Sequence, residues 1–193
     1  MNLNDKKILI TNKEYMTLNK SPTEFAAEQG LLYSATNQRI HKKQKGQFFT
    51  PQDVAHFMSN FVLIDRKSVS ILDPGCGTAV LSCAVIERLV KIDNVKEISL
   101  TLFENDIDLL NHLITVKEYL ITWCQLQDIK IKIIINQFDF ILYYLNNADT
   151  LSNNKFDIII SNPPYYKLTS KYELFTRVKT TIGIHHNIYA IFI

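Results

Sequence analysis

The stretch VSILDPGCGT, residues 69–78, decides the fold of this chain. Its first part, residues 69–72, is a short apolar run typical of a buried strand, and the Asp-Pro-Gly that follows ends the strand. Gly75 and Gly77 let the backbone approach a ligand closely at the N-terminus of a helix predicted over residues 78–90. The alternative is a tight strand-to-helix turn that binds nothing.

Strand and helix patterns alternate after this stretch. Strands are predicted over residues 98–103, 129–135 and 156–160, with helices over 107–127 and 140–145. Strands that alternate with helices predict right-handed crossovers and a parallel sheet covered on both faces. Ligands of such α/β sheets bind beyond the carboxyl ends of the strands. The residues directly after each strand are therefore the candidate site.

Upstream of residue 69 the pattern is helical. Ser21 and Glu24 form a capping box that predicts a short helix over residues 22–29, with Gly30 as its C-terminal stop. Thr50 is predicted to cap a second helix that starts at Pro51. Apolar residues then recur at helical spacing: Val54, Phe57, Met58 and Phe61.

The length and composition suit one folded domain with a short arm. The chain has 193 residues, 47% of them hydrophobic, and a net charge of +2. We divide it into an N-terminal helical arm, residues 1–45, and a main domain, residues 46–193. The small charge permits nucleic-acid binding without arguing for it. The basic cluster at residues 39–45 is a solvated loop or a phosphate contact.

The cysteines and the apolar runs of the sequence indicate the cellular compartment of the protein and whether it binds a metal. Cys76, Cys83 and Cys124 show neither metal-ligand spacing nor a disulfide framework, so free thiols and no metal site are expected. No apolar run approaches the roughly 18 residues of a membrane span. The apolar run near the N-terminus is too short for a signal peptide. We therefore expect a cytoplasmic protein with no membrane contact.

Two pairs of residues follow the second and third strands. Glu104, with Asn105 beside it, can accept both hydroxyls of a ribose, although an acidic residue also suits the first turn of a helix. Asp139 can accept a hydrogen bond from an adenine amino group while Phe140 stacks on the ring. The alternative is that Asp139 caps the next helix and Phe140 packs in the core.

The fourth strand ends in Asn162-Pro163-Pro164-Tyr165. Two prolines stop the strand ladder and fix the backbone, which holds Asn162 and Tyr165 in set positions at the carboxyl end of the strand. A bare turn needs neither this asparagine nor an aromatic residue after the prolines. The motif therefore indicates a function.

These motifs together resemble those of the gamma class of adenine-N6 DNA methyltransferases. NPPY at 162–165 is similar to their amino-methylating motif, DPGCGT at 73–78 to their cofactor motif, and GQFFTP at 46–51 to the segment that precedes it. The order is also that of the gamma class. The resemblance covers about residues 43–193. It implies a Rossmann-like methyltransferase sheet, S-adenosylmethionine as cofactor, and double-stranded DNA as substrate in a restriction-modification system.

The resemblance also implies roles for individual residues. The Asn162 side-chain carbonyl and the Pro163 backbone carbonyl would accept hydrogen bonds from the amine of an adenine flipped out of the duplex, and Tyr165, after Pro164, would stack on that base. Glu104 would bind the cofactor ribose, and Asn105, Asp139 and Phe140 its adenine. Asp73, Gly75 and Gly77 would line the methionine moiety, and Phe49, Thr50 and Pro51 would close over it. The other cofactor-binding residues that we expect are Cys76 and Asn162.

Two departures from the family pattern modify these expectations. Ala79 stands where relatives often have a third glycine, and we expect this change to be tolerated. The sequence stops at Ile193, before three further strands and a target-recognition domain. We therefore expect a sheet that is incomplete at its C-terminal side, weak sequence-specific DNA binding, and association with itself or with a second polypeptide.

Two other functions stay open from the sequence. RNA adenine methyltransferases and protein glutamine methyltransferases use a similar Asn-Pro-Pro-aromatic loop, although GQFFTP favours the DNA class. A catalytically incomplete cofactor-binding subunit of a larger complex would share every motif with the active enzyme.

Overall fold

The computed structural model describes residues 19–36, 49–151 and 155–163. Several sequence predictions fall outside these residues. They concern the basic cluster at 39–45, the first three residues of GQFFTP, Pro164 and Tyr165 of the catalytic motif, and the suggested incompleteness of the sheet after residue 163.

A four-stranded parallel sheet forms the centre of the described part. Its strands are β1 (Ser68–Asp73), β2 (Glu97–Phe103), β3 (Lys130–Asn136) and β4 (Ile158–Ile159), arranged in the order β3-β2-β1-β4. The register pairs Asp73 with Leu102 and Phe103 with Asn136, so the carboxyl ends of these strands meet at one edge. The predicted α/β fold with a parallel sheet is confirmed.

The helices join the strands and cover the sheet. They are α1 (Pro22–Thr36), α2 (Gln52–Ser59), α3 (Val80–Val90), α4 (Ile107–Leu126) and α5 (Phe140–Leu151). The core lies between the sheet and helices α3 and α4, which contribute some of its largest fully buried side chains. These are Ile71, Leu100 and Leu102 from the strands and Val85, Ile86, Leu89, Leu113 and Leu120 from the helices. In the described residues, no helix is long and apolar enough to cross a membrane.

Helix α1 packs across α3 and α4. Phe25 stacks on Tyr119 of α4 with ring centroids 4.1 Å apart, and the Thr23 amide donates to the Glu87 carboxylate of α3 at 2.7 Å. Its predicted capping box is confirmed, because Ser21 and Glu24 each bond the other's backbone N–H through a side chain. The division of the chain at residue 45 remains a prediction.

The prediction that Gly30 stops this helix is wrong, since α1 continues to Thr36. Gly30 lies inside the helix and brings its backbone close to the main domain. A Cβ placed on it would lie 3.2 Å from the Thr78 hydroxyl and 3.4 Å from the Phe49 ring. The glycine therefore allows α1 to pack closely against Thr78 and Phe49. A single sequence does not distinguish this role from that of a helix stop.

The predicted cap of α2 is also wrong. Pro51 is the N-cap residue and makes no side-chain capping bond, and the helix begins at Gln52. The Thr50 hydroxyl instead accepts a hydrogen bond from Asn162. Helix α2 packs on α3 through Ala55 and Ser59, while Val54 and Phe57 are 45% and 63% exposed. The apolar spacing predicted the helix but not the face that it buries.

The remaining elements lie close to their predicted positions. Helix α3 begins two residues later than predicted because Ala79 has a left-handed conformation with φ of 63°. Helix α5 extends to Leu151 through a non-helical residue, Asn147. Strand β4 is two residues long, although the Ile160 amide extends its pairing by donating to the Leu72 carbonyl at 3.0 Å.

Candidate methyl-donor site

The loop between β1 and α3 turns back toward the sheet. The Cys76 amide donates to the Phe103 carbonyl at 3.0 Å, and the Ala79 amide donates to the Cys76 carbonyl at 2.7 Å. Gly77 has φ of 56°, in the left-handed region that favours glycine. A Cβ on Gly77 would lie 3.3 Å from the Phe49 ring. Both the backbone conformation and the close approach of a ring therefore favour glycine at this position.

Asp73, the last residue of β1, is buried with one oxygen satisfied. Its Oδ2 accepts a hydrogen bond from the Ser82 hydroxyl at 2.7 Å, whereas its Oδ1 has no hydrogen-bond partner within the described residues. Burial is the main cause that raises the pKa of the Asp73 carboxyl, hydrogen bonds from Ser82 and Gly75 oppose the rise, and the nearby Glu104 adds to it; together they bring the pKa to about 7. A buried acceptor of this kind is well suited to a ligand that carries N–H groups or positive charge.

Glu104 joins the loops that follow β1 and β2. Its Oε2 accepts from the Gly77 amide at 3.0 Å and its Oε1 from the Asp106 amide at 2.8 Å. Its side chain is 7% exposed, and burial raises the pKa of its carboxyl despite these backbone hydrogen bonds. Each carboxylate oxygen can accept a further hydrogen bond, so the group retains capacity for a ligand hydroxyl.

Asn162 joins the end of β4 to the segment before α2. Its Nδ2 donates to the Thr50 hydroxyl at 3.0 Å. The next residue, Pro163, is buried. The first predicted catalytic residue is therefore fixed by a predicted cofactor residue that lies far away in the chain.

These elements enclose a cavity of about 40 Å³ at the carboxyl ends of β1 and β4. It is lined by Phe49, Thr50, Asp73, Gly75, Cys76, Gly77, Thr78, Val80, Leu81 and Asn162. All except Thr78, Val80 and Leu81 are among the residues predicted for the site. Thr78 belongs to the quoted loop motif and could have been included, whereas Val80 and Leu81 looked like ordinary core residues of a helix.

Other predicted residues lie outside the lining of this cavity. Pro51 and Asn105 are exposed. The Asp139 carboxylate accepts from the Leu142 amide at 3.0 Å, which makes it a cap of α5, as the simpler alternative held. Phe140 packs on the Phe103 ring with centroids 5.1 Å apart. Glu104 and Pro163 are also outside this lining. Contact of all the predicted site residues with a cofactor or substrate remains a prediction.

Two residues that the sequence did not single out support the site. The Ser82 hydroxyl bonds Asp73, and the Tyr33 hydroxyl of α1 bonds Asp106 at 2.8 Å. Neither residue belongs to a motif. Tyr33 lies 73 positions before its partner, and no local signal in the sequence connects the two.

Comparison with known proteins identifies the family. The model of the N-6 DNA methylase family matches residues 28–183. The chain belongs to this family, and its parallel sheet is that of a Rossmann-like methyltransferase. The match begins inside α1, so the family pattern includes the second half of that helix.

Individual relatives agree with the family. The type II methyltransferase M.AccI of Acinetobacter calcoaceticus is 28% identical over 83% of this chain and 27% of its own length. The type II methyltransferase M.BsuBI of Bacillus subtilis is 32% identical over 67% of this chain and 26% of its own length. The type I restriction enzyme MpnII methylase subunit of Mycoplasma pneumoniae is 26% identical over 64% of this chain and 22% of its own length. The chain thus spans about a quarter of the length of these relatives.

Proposed function

We propose that this chain supplies the methyl-donor site and the catalytic loop of a site-specific adenine-N6 DNA methyltransferase of a restriction-modification system. The observation that carries the proposal is the bond between Asn162 and Thr50, which together with the loop of residues 73–78 line the cavity. This contact brings three motifs of the proposed enzyme together at one edge of the sheet. The names of the relatives, which include type II methyltransferases, support the same activity.

The proposed donor is S-adenosylmethionine, and the chemistry of the cavity suits it. The Asp73 Oδ1, which has no hydrogen-bond partner among the residues that the structure describes, would accept from the donor's amino group, and Gly77 lets the backbone approach the ligand. A cavity of about 40 Å³ is far smaller than the roughly 300 Å³ at the lower end of ligand sites. We therefore expect Phe49 and the segment to Pro51, which lie beside the cavity, to shift when the donor binds.

The other predicted cofactor residues complete the proposed site. Glu104 would accept from the ribose hydroxyls while it keeps its bonds to Gly77 and Asp106. Asn105, Asp139 and Phe140, which follow β2 and β3, would contact the adenine. The bound donor would supply an electrophilic methyl group.

The proposed catalytic contribution of the chain is positioning. The Asn162 and Pro163 carbonyls would accept the two N–H groups of the target amine and so direct its lone pair toward the methyl group. By resemblance, Pro164 would fix the loop and Tyr165 would stack on the flipped adenine. No side chain needs to act as a nucleophile.

The relation to a type I methylase subunit favours a partner for this chain. That relative is by name one subunit of a restriction enzyme. We propose that a second polypeptide, or another copy of this chain, contributes to DNA recognition, in the cytoplasm where bacterial DNA lies. A cofactor-binding subunit that is inactive alone is the alternative within the same family.

A methyl-transfer assay tests the proposal. The purified chain is incubated with S-adenosylmethionine labelled in its methyl group and with duplex DNA, RNA or a glutamine-containing protein substrate. The expected product is N6-methyladenine in DNA, lost in Asn162→Ala. Label in RNA or protein only would contradict the DNA function, and donor binding without any transfer would favour the inactive subunit.

A further inference from the structure

A chain of buried hydrogen bonds leads from helix α1 into the candidate site. The Tyr33 hydroxyl donates to Asp106 Oδ2 at 2.8 Å, and the Asp106 amide donates to Glu104 Oε1 at 2.8 Å. Glu104 Oε2 then accepts from the Gly77 amide at 3.0 Å. Tyr33, Asp106 and Glu104 are 4%, 4% and 7% exposed. A buried series of this kind holds each member in one orientation, because a broken bond would leave a polar group unsatisfied.

Asp106 occupies the centre of this series. Its Oδ1 accepts from the Asp108 amide at 3.1 Å and caps α4, while its Oδ2 accepts from Tyr33. The Tyr33 bond therefore fixes the rotation of a carboxylate whose own backbone N–H orients Glu104. Burial and the Asp106 carboxylate raise the pKa of the Tyr33 hydroxyl, so this hydroxyl remains a donor.

The position of Tyr33 itself is well defined. Its ring meets the Phe49 ring edge to face at 5.8 Å and the His112 ring at 6.0 Å. One turn earlier on α1, Gln29 Oε1 lies 3.0 Å from His112 Nδ1. Tyr33 thus contacts both Phe49, which lines the cavity, and the Asp106 carboxylate.

We propose that Tyr33 is a positioning residue that orients Glu104 for the ribose of the methyl donor. The identity of the ligand in this proposal rests on the proposed function. The orientation of Glu104 by Tyr33, in contrast, can be tested in the chain without a ligand. Helix α1 is then part of the donor site, although it lies outside the cofactor and catalytic motifs.

The unliganded chain provides the first test. Tyr33→Phe removes the hydroxyl and keeps the ring against Phe49 and His112. We expect amide hydrogen exchange at Gly77, measured by NMR, to accelerate by about tenfold, because the bond from the Gly77 amide to the Glu104 carboxylate becomes weaker. Tyr119→Phe is the matched control, since it removes a hydroxyl of α4 that bonds the carbonyl of Lys20, two residues before α1. An unchanged Gly77 exchange rate in Tyr33→Phe, or an equal acceleration in the control, would overturn the proposal.

The donor site provides the second test. S-adenosylhomocysteine is titrated beside an analogue whose 2′ and 3′ ribose hydroxyls are replaced by hydrogen. We expect Tyr33→Phe to weaken the binding of S-adenosylhomocysteine by about tenfold and to change the binding of the analogue little. In a chain that already carries Glu104→Gln, Tyr33→Phe should cause no further loss of affinity. Equal losses for both ligands, or additive losses in the double variant, would overturn the proposal. A wild-type chain that binds neither ligand would refute the proposed function, while the Gly77 exchange rate would still decide the role of Tyr33.

Discussion

The side-chain amide of Asn162 donates a hydrogen bond to the hydroxyl of Thr50 across 3.0 Å, between positions 112 residues apart. In the structure the amide nitrogen of Asn162 faces Thr50 and the carbonyl oxygen faces away from it. This orientation is the one that the proposed chemistry requires, because the carbonyl must accept from the target amine.

Thr50→Val should show the effect of losing this hydrogen bond while the packing of the side chain is kept. The variant keeps the shape of threonine but cannot accept, so we expect the free energy of unfolding to fall by about 1 kcal/mol. Methyl transfer should fall more than donor binding, because Asn162 loses its orientation. Urea unfolding and the labelled-methyl assay measure the two effects. Thr50→Ser keeps the hydroxyl and should behave like the wild type; equal losses in both variants would contradict the account.

Asp73 should make stability depend on pH. Its folded pKa of about 7 exceeds the value of 3.8 for a free aspartate, so folding favours the protonated form. The stabilisation is fully present below about pH 4 and is lost as the pH rises through about 7. Relative to Asp73→Asn, the wild-type free energy of unfolding should fall by up to about 4 kcal/mol over this range. Urea unfolding at several pH values measures it.

Asp157 provides a control, because the pKa of its carboxyl is shifted in the direction opposite to that of Asp73. Hydrogen bonds from the backbone and hydroxyl of Ser70, with the Arg66 charge, lower the pKa of its carboxyl. Its stabilisation is therefore present above the usual aspartate pKa and is lost as the pH falls. If Asp73→Asn and Asp157→Asn changed the pH dependence in the same direction, the assignment of a raised Asp73 pKa would be wrong.

Gly77 and Ala79, two residues with left-handed backbone conformation between β1 and α3, should respond differently to substitution. Alanine at Gly77 would adopt φ of 56° and place a Cβ 3.3 Å from Phe49, so Gly77→Ala should cost about 1–2 kcal/mol of stability and weaken donor binding. Ala79→Gly relieves a similar φ of 63° but removes a buried methyl worth about 0.8 kcal/mol, so its net effect should stay below about 1 kcal/mol. A large destabilisation by Ala79→Gly would contradict this explanation of the tolerated alanine.

The strands and the residues after them could be predicted because their signals are local. In the run at residues 69–72, Val69 and Ile71 on one face and Leu72 on the other are buried, as expected of a strand that is covered on both sides, and DPG ends it. The predicted residues Asp73, Gly77 and Asn162 meet at one cavity because parallel strands bring their carboxyl ends to the same edge.

Contacts between distant segments could not be predicted. Gly30 looked like a helix stop, since its packing on Thr78 and Phe49 leaves no local trace. Thr50 looked like a helix cap until its hydroxyl was found to bond Asn162. Tyr33 carries no motif at all, and only the packing of α1 on α4 brings it to Asp106.

Titration calorimetry of the purified chain with S-adenosylmethionine tests the central claim most directly, with Glu104→Ala, Asn162→Ala and the control Glu97→Ala alongside. Glu97 is the first residue of β2, the strand that Glu104 follows, and its exposed side chain forms an ion pair with Lys130. We expect binding by the wild type and the control, loss of binding in Glu104→Ala, and retained or only weakened binding in Asn162→Ala. A folded wild-type chain that does not bind the donor, or a Glu104→Ala variant that binds as tightly as the wild type, would contradict the proposed site.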